Sequence, residues 1–273
     1  MAKRAIVRHR LPRAPLVEVI FELRWKLKGS PGVPPALYTD PGLLPLIYDF
    51  SKHAAKLGFD VRQDMMPPDQ TAAYGIVHRY RTKDAPDFPL LQVGPGIFAA
   101  NQGPLYEWHE FKSFGLEGLK ALLASYPKLP GFPLEPTHLE LRYLDIFDHS
   151  LLGTADIAAF LNRGTTMRVD IPAFMQDPKR FSGDLGGRFI VGRAAQAWKK
   201  SNLSLDFGSV IAKDQRALRL ETKVVTIEEG VPRLGSPGQF VSGVAKWLDF
   251  ARGLTSPFFK EFVREDLMAQ FEG

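Results

Sequence analysis

The chain has 273 residues, of which 45% are hydrophobic and 24% charged, a composition typical of a globular protein with one large or two modest domains. It contains no cysteine, which excludes disulfides, thiolate metal ligands and cysteine nucleophiles. Its apolar runs are shorter than the roughly 18 residues of a transmembrane helix, and its basic N-terminus lacks the apolar stretch of a signal peptide. We therefore expect a cytoplasmic protein without a membrane segment.

The net charge of +5 is concentrated at the N-terminus. Five basic residues precede the first acid, Glu18, and they equal the whole formal excess: Lys3, Arg4, Arg8, Arg10 and Arg13. The sequence predicts a basic arm over residues 1–14. Such an arm either contacts nucleic acid or is a solvated terminus without a ligand.

Residues 15–132 form the predicted first half of the fold. Apolar and polar side chains alternate from Val17 to Trp25, which predicts a strand with one buried face. Apolar residues then recur at helical spacing before Gly58, which indicates a helix and its C-terminal end. Two or three antiparallel strands follow, and a long amphipathic helix then runs until Pro127.

Residues 133–273 repeat this order. A strand is predicted from Thr137 to Asp148, then a short helix ending at Gly164, three strands, and one long C-terminal helix. Two halves of the same order, strand, helix, three strands and helix, favour an α+β fold. We expect one antiparallel sheet with the helices packed on one face, shared by both halves as one continuous domain.

The order of elements resembles the saddle of TATA-binding-protein-like folds. None of the base-reading motifs of those proteins is present, so the resemblance implies an architecture and not their DNA-binding function.

Four stretches resemble a sporadically distributed family of bacterial proteins of unknown function: Ala14 to Trp25, Leu90 to Lys112, Leu139 to Asp148, and Trp247 to Leu267. This resemblance implies no activity, cofactor or catalytic residue. A patchy distribution is associated with mobile conflict or defence cassettes, and we carry that association as an expectation only.

The glycine-rich stretch "GPGIFAA" is interpreted as a turn. A nucleotide-binding glycine loop leads directly into a helix, whereas Ile97 and Phe98 continue as strand-like sequence. Pro95 and its flanking glycines are suited to a tight turn between two strands.

Basic residues on the sheet form the first candidate site. Arg79 and Arg81 would share one face of a strand and, together with the basic arm, contact a nucleic-acid backbone. The alternative is a solvated face of mixed charge, because Asp206 and Glu221 occur in neighbouring strand-like segments.

The C-terminal helix carries more aromatic residues than one buried stripe needs, including Phe258, Phe259, Phe262 and Phe271. This surplus is typical of a surface that binds a protein partner or a second copy of the chain. A helix folded back on its own sheet would explain it equally well.

A third candidate is a ligand pocket between sheet and helices, near Asn101, Gln102, Tyr106 and Trp108. The same residues would alternatively cap and pack a helix start. The histidines lack metal-ligand spacing, no nucleophile motif occurs, and neither metal nor cofactor is predicted. The sequence thus favours a non-enzymatic binding or assembly component over a small-molecule binder or enzyme.

Overall fold

The computed structural model describes residues 13–29, 34, 37–67, 72–85, 87–153, 156–170, 190–212 and 214–272. The strands in these ranges are β1 (Leu16–Trp25), β2 (Val61–Asp64), β3 (His78–Arg81), β4 (Leu90–Gly94), β5 (Ile97–Gln102), β6 (Pro136–Phe147), β7 (Val191–Trp198), β8 (Ser201–Ala212) and β9 (Gln215–Ile227). The helices are α1 (Leu43–Lys56), α2 (Trp108–Ser125), α3 (His149–Leu152), α4 (Ile157–Gly164), α5 (Pro237–Phe262) and α6 (Glu265–Glu272), with a 3₁₀ turn at Glu228–Gly230.

The nine described strands form one antiparallel sheet in the order β2-β3-β4-β5-β1-β6-β9-β8-β7. The first strands of the two halves, β1 and β6, pair at its centre, with Val19 opposite Tyr143. In each half the last strand returns beside the first, β5 beside β1 and β9 beside β6. The predicted α+β fold with one antiparallel sheet is confirmed. The predicted order differs in the first half, where four strands, β2 to β5, follow the first helix and not three.

One face of the sheet is apolar and covered by helices. On β1 the buried apolar side chains are Val19, Phe21, Leu23 and Trp25, as the alternating pattern predicts. Val17, which the same pattern places on this face, is exposed, at a register shift between Leu16 and Glu18. Helices α1 and α2 contact β3, β4 and β5, while α5 contacts β6 and β9. The main hydrophobic core lies between these two layers.

A second apolar cluster lies toward one end of the second half, where Phe147 and Leu220 meet α4 and α6. The prediction of a single C-terminal helix is wrong, because α5 ends at Phe262 and a new helix begins at Glu265. At the break, Thr166 donates a backbone hydrogen bond to Phe262 (2.8 Å), and Arg264 donates one to Gly164 (2.9 Å). These tertiary bonds replace helical ones and fold α6 back onto the cluster.

The glycine-rich stretch is a turn between β4 and β5, as predicted, and Gly96 adopts a positive φ of 71°. The buried carboxylate of Asp40 fixes this turn by accepting the backbone N–H of Gly96 (3.1 Å). Asp40 also accepts from Trp25 Nε1 (2.9 Å), the N–H of Gly42 (2.9 Å) and Tyr126 Oη (3.0 Å). One side chain thereby joins β1, the turn and the neighbouring ends of α1 and α2.

Among the described residues, no helix combines the length and hydropathy that crossing a membrane requires.

Candidate functional site

The face of the sheet opposite the helices is polar, and we call it the helix-free face. Successive strand residues point to opposite sides, so Glu22 and Arg24 lie opposite Phe21 and Leu23. The pairing register shows which residues of this face are neighbours on successive strands, from β3 to β9. One such row contains Arg79, Gln92, Ala99, Glu22, Glu140 and Val225. The next row on the same face, two residues along each strand, contains Arg81, Leu90, Asn101, Ile20, Arg142 and Lys223.

Two buried carboxylates meet at the centre of this face. Glu22 and Glu140 lie opposite each other on β1 and β6, a like-charge pairing that is unfavourable unless compensated. Compensation comes from two guanidinium groups: Arg24 Nε is 2.5 Å from Glu22 Oε1, and Arg142 Nε is 2.9 Å from Glu140 Oε1. Burial by itself would raise the pKa of Glu140, but His138 and Arg142 outweigh it and lower that pKa.

The carboxylates of the second half are paired in the same way. Glu221 lies 2.7 Å from Arg219 Nη2 and 3.1 Å from Lys223 Nζ. Lys223 also approaches Asp206 (3.3 Å), which Arg193 contacts from β7. The hydrogen bond from Arg193 is the largest cause that lowers the pKa of Asp206.

Arg79 and Arg81 differ from these basic residues. Both are half-buried on the helix-free face of β3, and within the described ranges neither has a carboxylate at ion-pair distance. Arg79 Nε is buried without a hydrogen-bond acceptor, and Asn101 Oδ1 on the same face is buried without a donor. The predicted placement of the two arginines on one strand face is confirmed, and this corner of the face has unused polar atoms.

Only residues 13 and 14 of the predicted basic arm belong to the described part of the chain. Lys3, Arg4, Arg8 and Arg10 lie outside the described residues. Arg13 is exposed, and its backbone N–H donates to Phe271 of α6 (3.1 Å).

One group of side chains has the donor types of a metal site: Glu22, His138 and Glu140 place a nitrogen and two oxygens within 4.8 Å of one another. The imidazole and carboxylates suit a transition-metal dication by ligand type. However, Arg24 and Arg142 already balance the two carboxylates, so a dication would add uncompensated charge to a buried site. The sequence pattern missed the group because β1 and β6 are far apart along the chain.

The predicted pocket residues do not all lie together. Asn101 and Gln102 are successive residues of β5, so their side chains point to opposite faces. Asn101 Nδ2 donates to Glu18 Oε1 (2.6 Å) on the helix-free face. Gln102 lies on the helix side, opposite Val19, and its Oε1 is buried without a donor.

Tyr106 and Trp108 do meet, on the helix side, around Arg252 of α5. Arg252 Nη1 donates to Tyr106 Oη (2.9 Å), and its guanidinium lies 5.0 Å from the Trp108 ring centroid. Tyr106 Oη is also 2.9 Å from Tyr143 Oη. Burial is the main cause that raises the pKa of both tyrosines, so both stay neutral and act as hydrogen-bonding groups that join the segment before α2 to α5 and β6.

Two surface grooves lie elsewhere. One is lined by Phe59 and Phe114 between α1 and α2, and the other by Arg13 and Ser150. Neither groove is lined by any of the four predicted pocket residues.

The aromatic residues of the C-terminal region are largely accounted for by the second core cluster. Phe262 is 4% exposed and Phe271 is fully buried there, while Phe258 and Phe259 are partly buried against it. The first two therefore have no surface to offer a partner. Only Phe258 and Phe259 keep exposed area, so the prediction of partner binding rests on them alone.

No protein-family model matches the chain, and no curated protein sequence matches it.

Proposed function

We propose that this protein is a non-enzymatic binding component that holds a nucleic-acid backbone on the helix-free face of its sheet. The observation that carries the proposal is a contrast between two sets of charged groups on this face. The buried carboxylates Glu22, Glu140 and Glu221 are paired with basic groups, whereas Arg79 and Arg81 have no carboxylate at ion-pair distance among the described residues. Guanidinium groups are the side chains best suited to bidentate contacts with phosphate.

The neighbourhood of the two arginines supports this role. Arg79 stands opposite Gln92, while Asn101 lies two strands away from Arg81 in the same row. Two charged donors and two amide side chains therefore share one corner of the face. Phosphate contacts of the two half-buried arginines would supply the affinity.

The basic arm would add a second source of affinity. Its five positive charges precede β1, and Arg13, the one of them within the described residues, is exposed. Arm and face act through the same long-range attraction, so both contributions depend on salt.

Fluorescence anisotropy with labelled single-stranded DNA, single-stranded RNA and duplex DNA of about 20 nucleotides tests the proposal. The double variant Arg79→Gln/Arg81→Gln is expected to bind at least about tenfold more weakly and to reduce the salt slope by about one to two. The matched control is Arg219→Gln, which removes a charge from the same face that is already paired with Glu221. It should change affinity less than about threefold.

Deletion of residues 2–12 separates the arm from the face. If the arm alone binds, this deletion abolishes the salt dependence, and the double arginine variant behaves as wild type. That result, or the absence of binding at roughly 50 mM salt by the wild-type protein, would contradict the proposed role of the sheet.

A further inference from the structure

Strand β7 is an outer strand of the sheet, and no described strand pairs with its free edge. It has eight residues, "VGRAAQAW", without proline, and every one except Gly192 is exposed. Val191 is 80% and Trp198 50% exposed, and β7 is the last strand of the described sheet on this side. Long edges of this kind normally recruit another strand, because they present unpaired backbone groups in a row.

The opposite edge of the sheet, strand β2, has features that discourage the addition of another strand. Strand β2 has only four residues, and Asp64 lies 3.0 Å from Arg62 and 2.8 Å from His78. Short length and charge both discourage strand addition. On β7 the single charged residue, Arg193, is turned toward Asp206 of β8 and does not guard the edge.

The hydrogen-bond pattern shows which backbone groups of β7 point outward. Ser209 of β8 donates its backbone N–H to Ile190 (2.8 Å), the residue just before β7. Hydrogen-bonded positions alternate in an antiparallel ladder. The backbone N–H and C=O groups of Gly192, Ala194 and Gln196 therefore also point toward β8. The N–H and C=O groups of the odd-numbered residues therefore point away from the sheet: Val191, Arg193, Ala195 and Ala197.

We propose that β7 pairs antiparallel with β7 of a second copy of this chain, with Ala195 of both copies at the twofold axis. Identical strands pair naturally in this way, since an isologous interface uses the same patch on both subunits. The outward groups of Ala195 then bond each other across the axis. Small side chains at the centre let the backbones approach without a clash.

This register also explains the choice of partner. It places Trp198 opposite Gly192 of the second copy, on the same side of the sheet. Gly192 has no side chain, and the Phe207 ring occupies the space where its Cβ would point. The half-exposed indole of each copy would pack on Gly192 and Phe207 of the other, and Arg193 would face Ala197, not a like charge.

Nothing described blocks the approach, since β7 has no helix packed over it. A twofold axis perpendicular to the sheet would join two nine-stranded sheets into one, with both helix-free faces on the same side. This inference stands independently of the proposed nucleic-acid function.

Light scattering of the full chain after size exclusion, across about 10 to 200 µM, tests the pairing. The wild-type protein is expected at twice its 30.5 kDa mass. Ala195→Pro removes one outward N–H while leaving the bonds between β7 and β8, and it should give a monomer. Trp198→Ala should weaken association at least about tenfold, whereas Ile211→Ala, which removes an exposed apolar side chain from β8, should not.

Circular dichroism of each variant shows whether it is folded. A wild-type monomer at the highest concentration, or a folded Ala195→Pro variant that stays dimeric, would overturn the proposal. If Ala195→Pro does not fold, the Trp198→Ala variant provides the test. If Trp198→Ala associates as strongly as Ile211→Ala, pairing through β7 is refuted.

Discussion

At the scale of single residues, the buried acidic side chains differ in whether a charged partner lies beside them. Glu22 and Glu140 are buried but lie beside guanidinium groups, whereas Asp145 is 4% exposed and burial alone raises its pKa to about 7. Sequence alternation predicted the shared face of Arg79 and Arg81, because that relation is local. It could not identify Asp40 or the facing pair Glu22 and Glu140, because their partners come from distant segments.

Asp145 predicts a pH dependence of stability. An aspartate in the unfolded chain titrates near 3.9, so between about pH 4 and pH 7 only the folded protein keeps this proton. The free energy of unfolding should therefore fall as the pH rises through this window, by up to about 4 kcal/mol, and level off above it. Asp145→Asn, which resembles the protonated form, should remove most of this slope and be the more stable protein at pH 8. Thermal unfolding from pH 4 to 8 measures both effects.

The control for that experiment is Asp206→Asn. The pKa of Asp206 is lowered in the folded protein, so its contribution to stability is present at neutral pH and lost as the pH falls. This variant should keep the slope between pH 5 and 8. An unchanged slope in Asp145→Asn would show that Asp145 is not the titrating group.

Asp40 predicts a large loss of stability on truncation. Asp40→Ala leaves the buried donors of Trp25, Tyr126 and Gly96 without their acceptor, and we expect a cost of about 3 kcal/mol or more. Asp249→Ala, which removes an exposed carboxylate paired with Lys112, should cost less than about 1 kcal/mol. Urea unfolding compares the two variants, and equal midpoints would contradict a structural role for Asp40.

At the scale of elements, the sequence predicted best where one periodic pattern governs a whole segment. Strand β1 and helices α1 and α2 follow their apolar spacing, and the turn before Ile97 follows from its proline and glycines. Strand β2 was missed because "VRQD" has no apolar alternation and exists through its pairing with β3. The break after Phe262 was missed because bonds to Gly164 and Thr166, far away in sequence, end the helix.

The turn between β4 and β5 gives a prediction at this scale. A Cβ on Gly96 would lie 2.8 Å from Leu27 and from Tyr74, and its φ of 71° disfavours any other residue. Gly96→Ala should therefore destabilise the protein by about 1 to 3 kcal/mol. Gly253→Ala, at an open position within α5, should instead stabilise it by up to about 1 kcal/mol. Chemical denaturation measures both changes, and a neutral Gly96→Ala would show that the turn tolerates a side chain.

At the scale of the whole molecule, one antiparallel sheet of nine described strands accounts for most of the architecture. The order of elements predicted two halves sharing one sheet, and the pairing of β1 with β6 joins them at its centre. Which residues come together on the helix-free face depends on strand register. That register is set by contacts between distant segments, so element order alone could not assign the candidate site.

The seam between β1 and β6 has a consequence for how the chain folds. Val19 faces Tyr143 there, and every residue between them must be synthesised before the central ladder can close. Closing so long a loop costs entropy before any hydrogen bond repays it, which slows the formation of a sheet. During translation β1 can pair with β5 of its own half before β6 is synthesised, and the edge of β1 that pairs with β6 stays open until then.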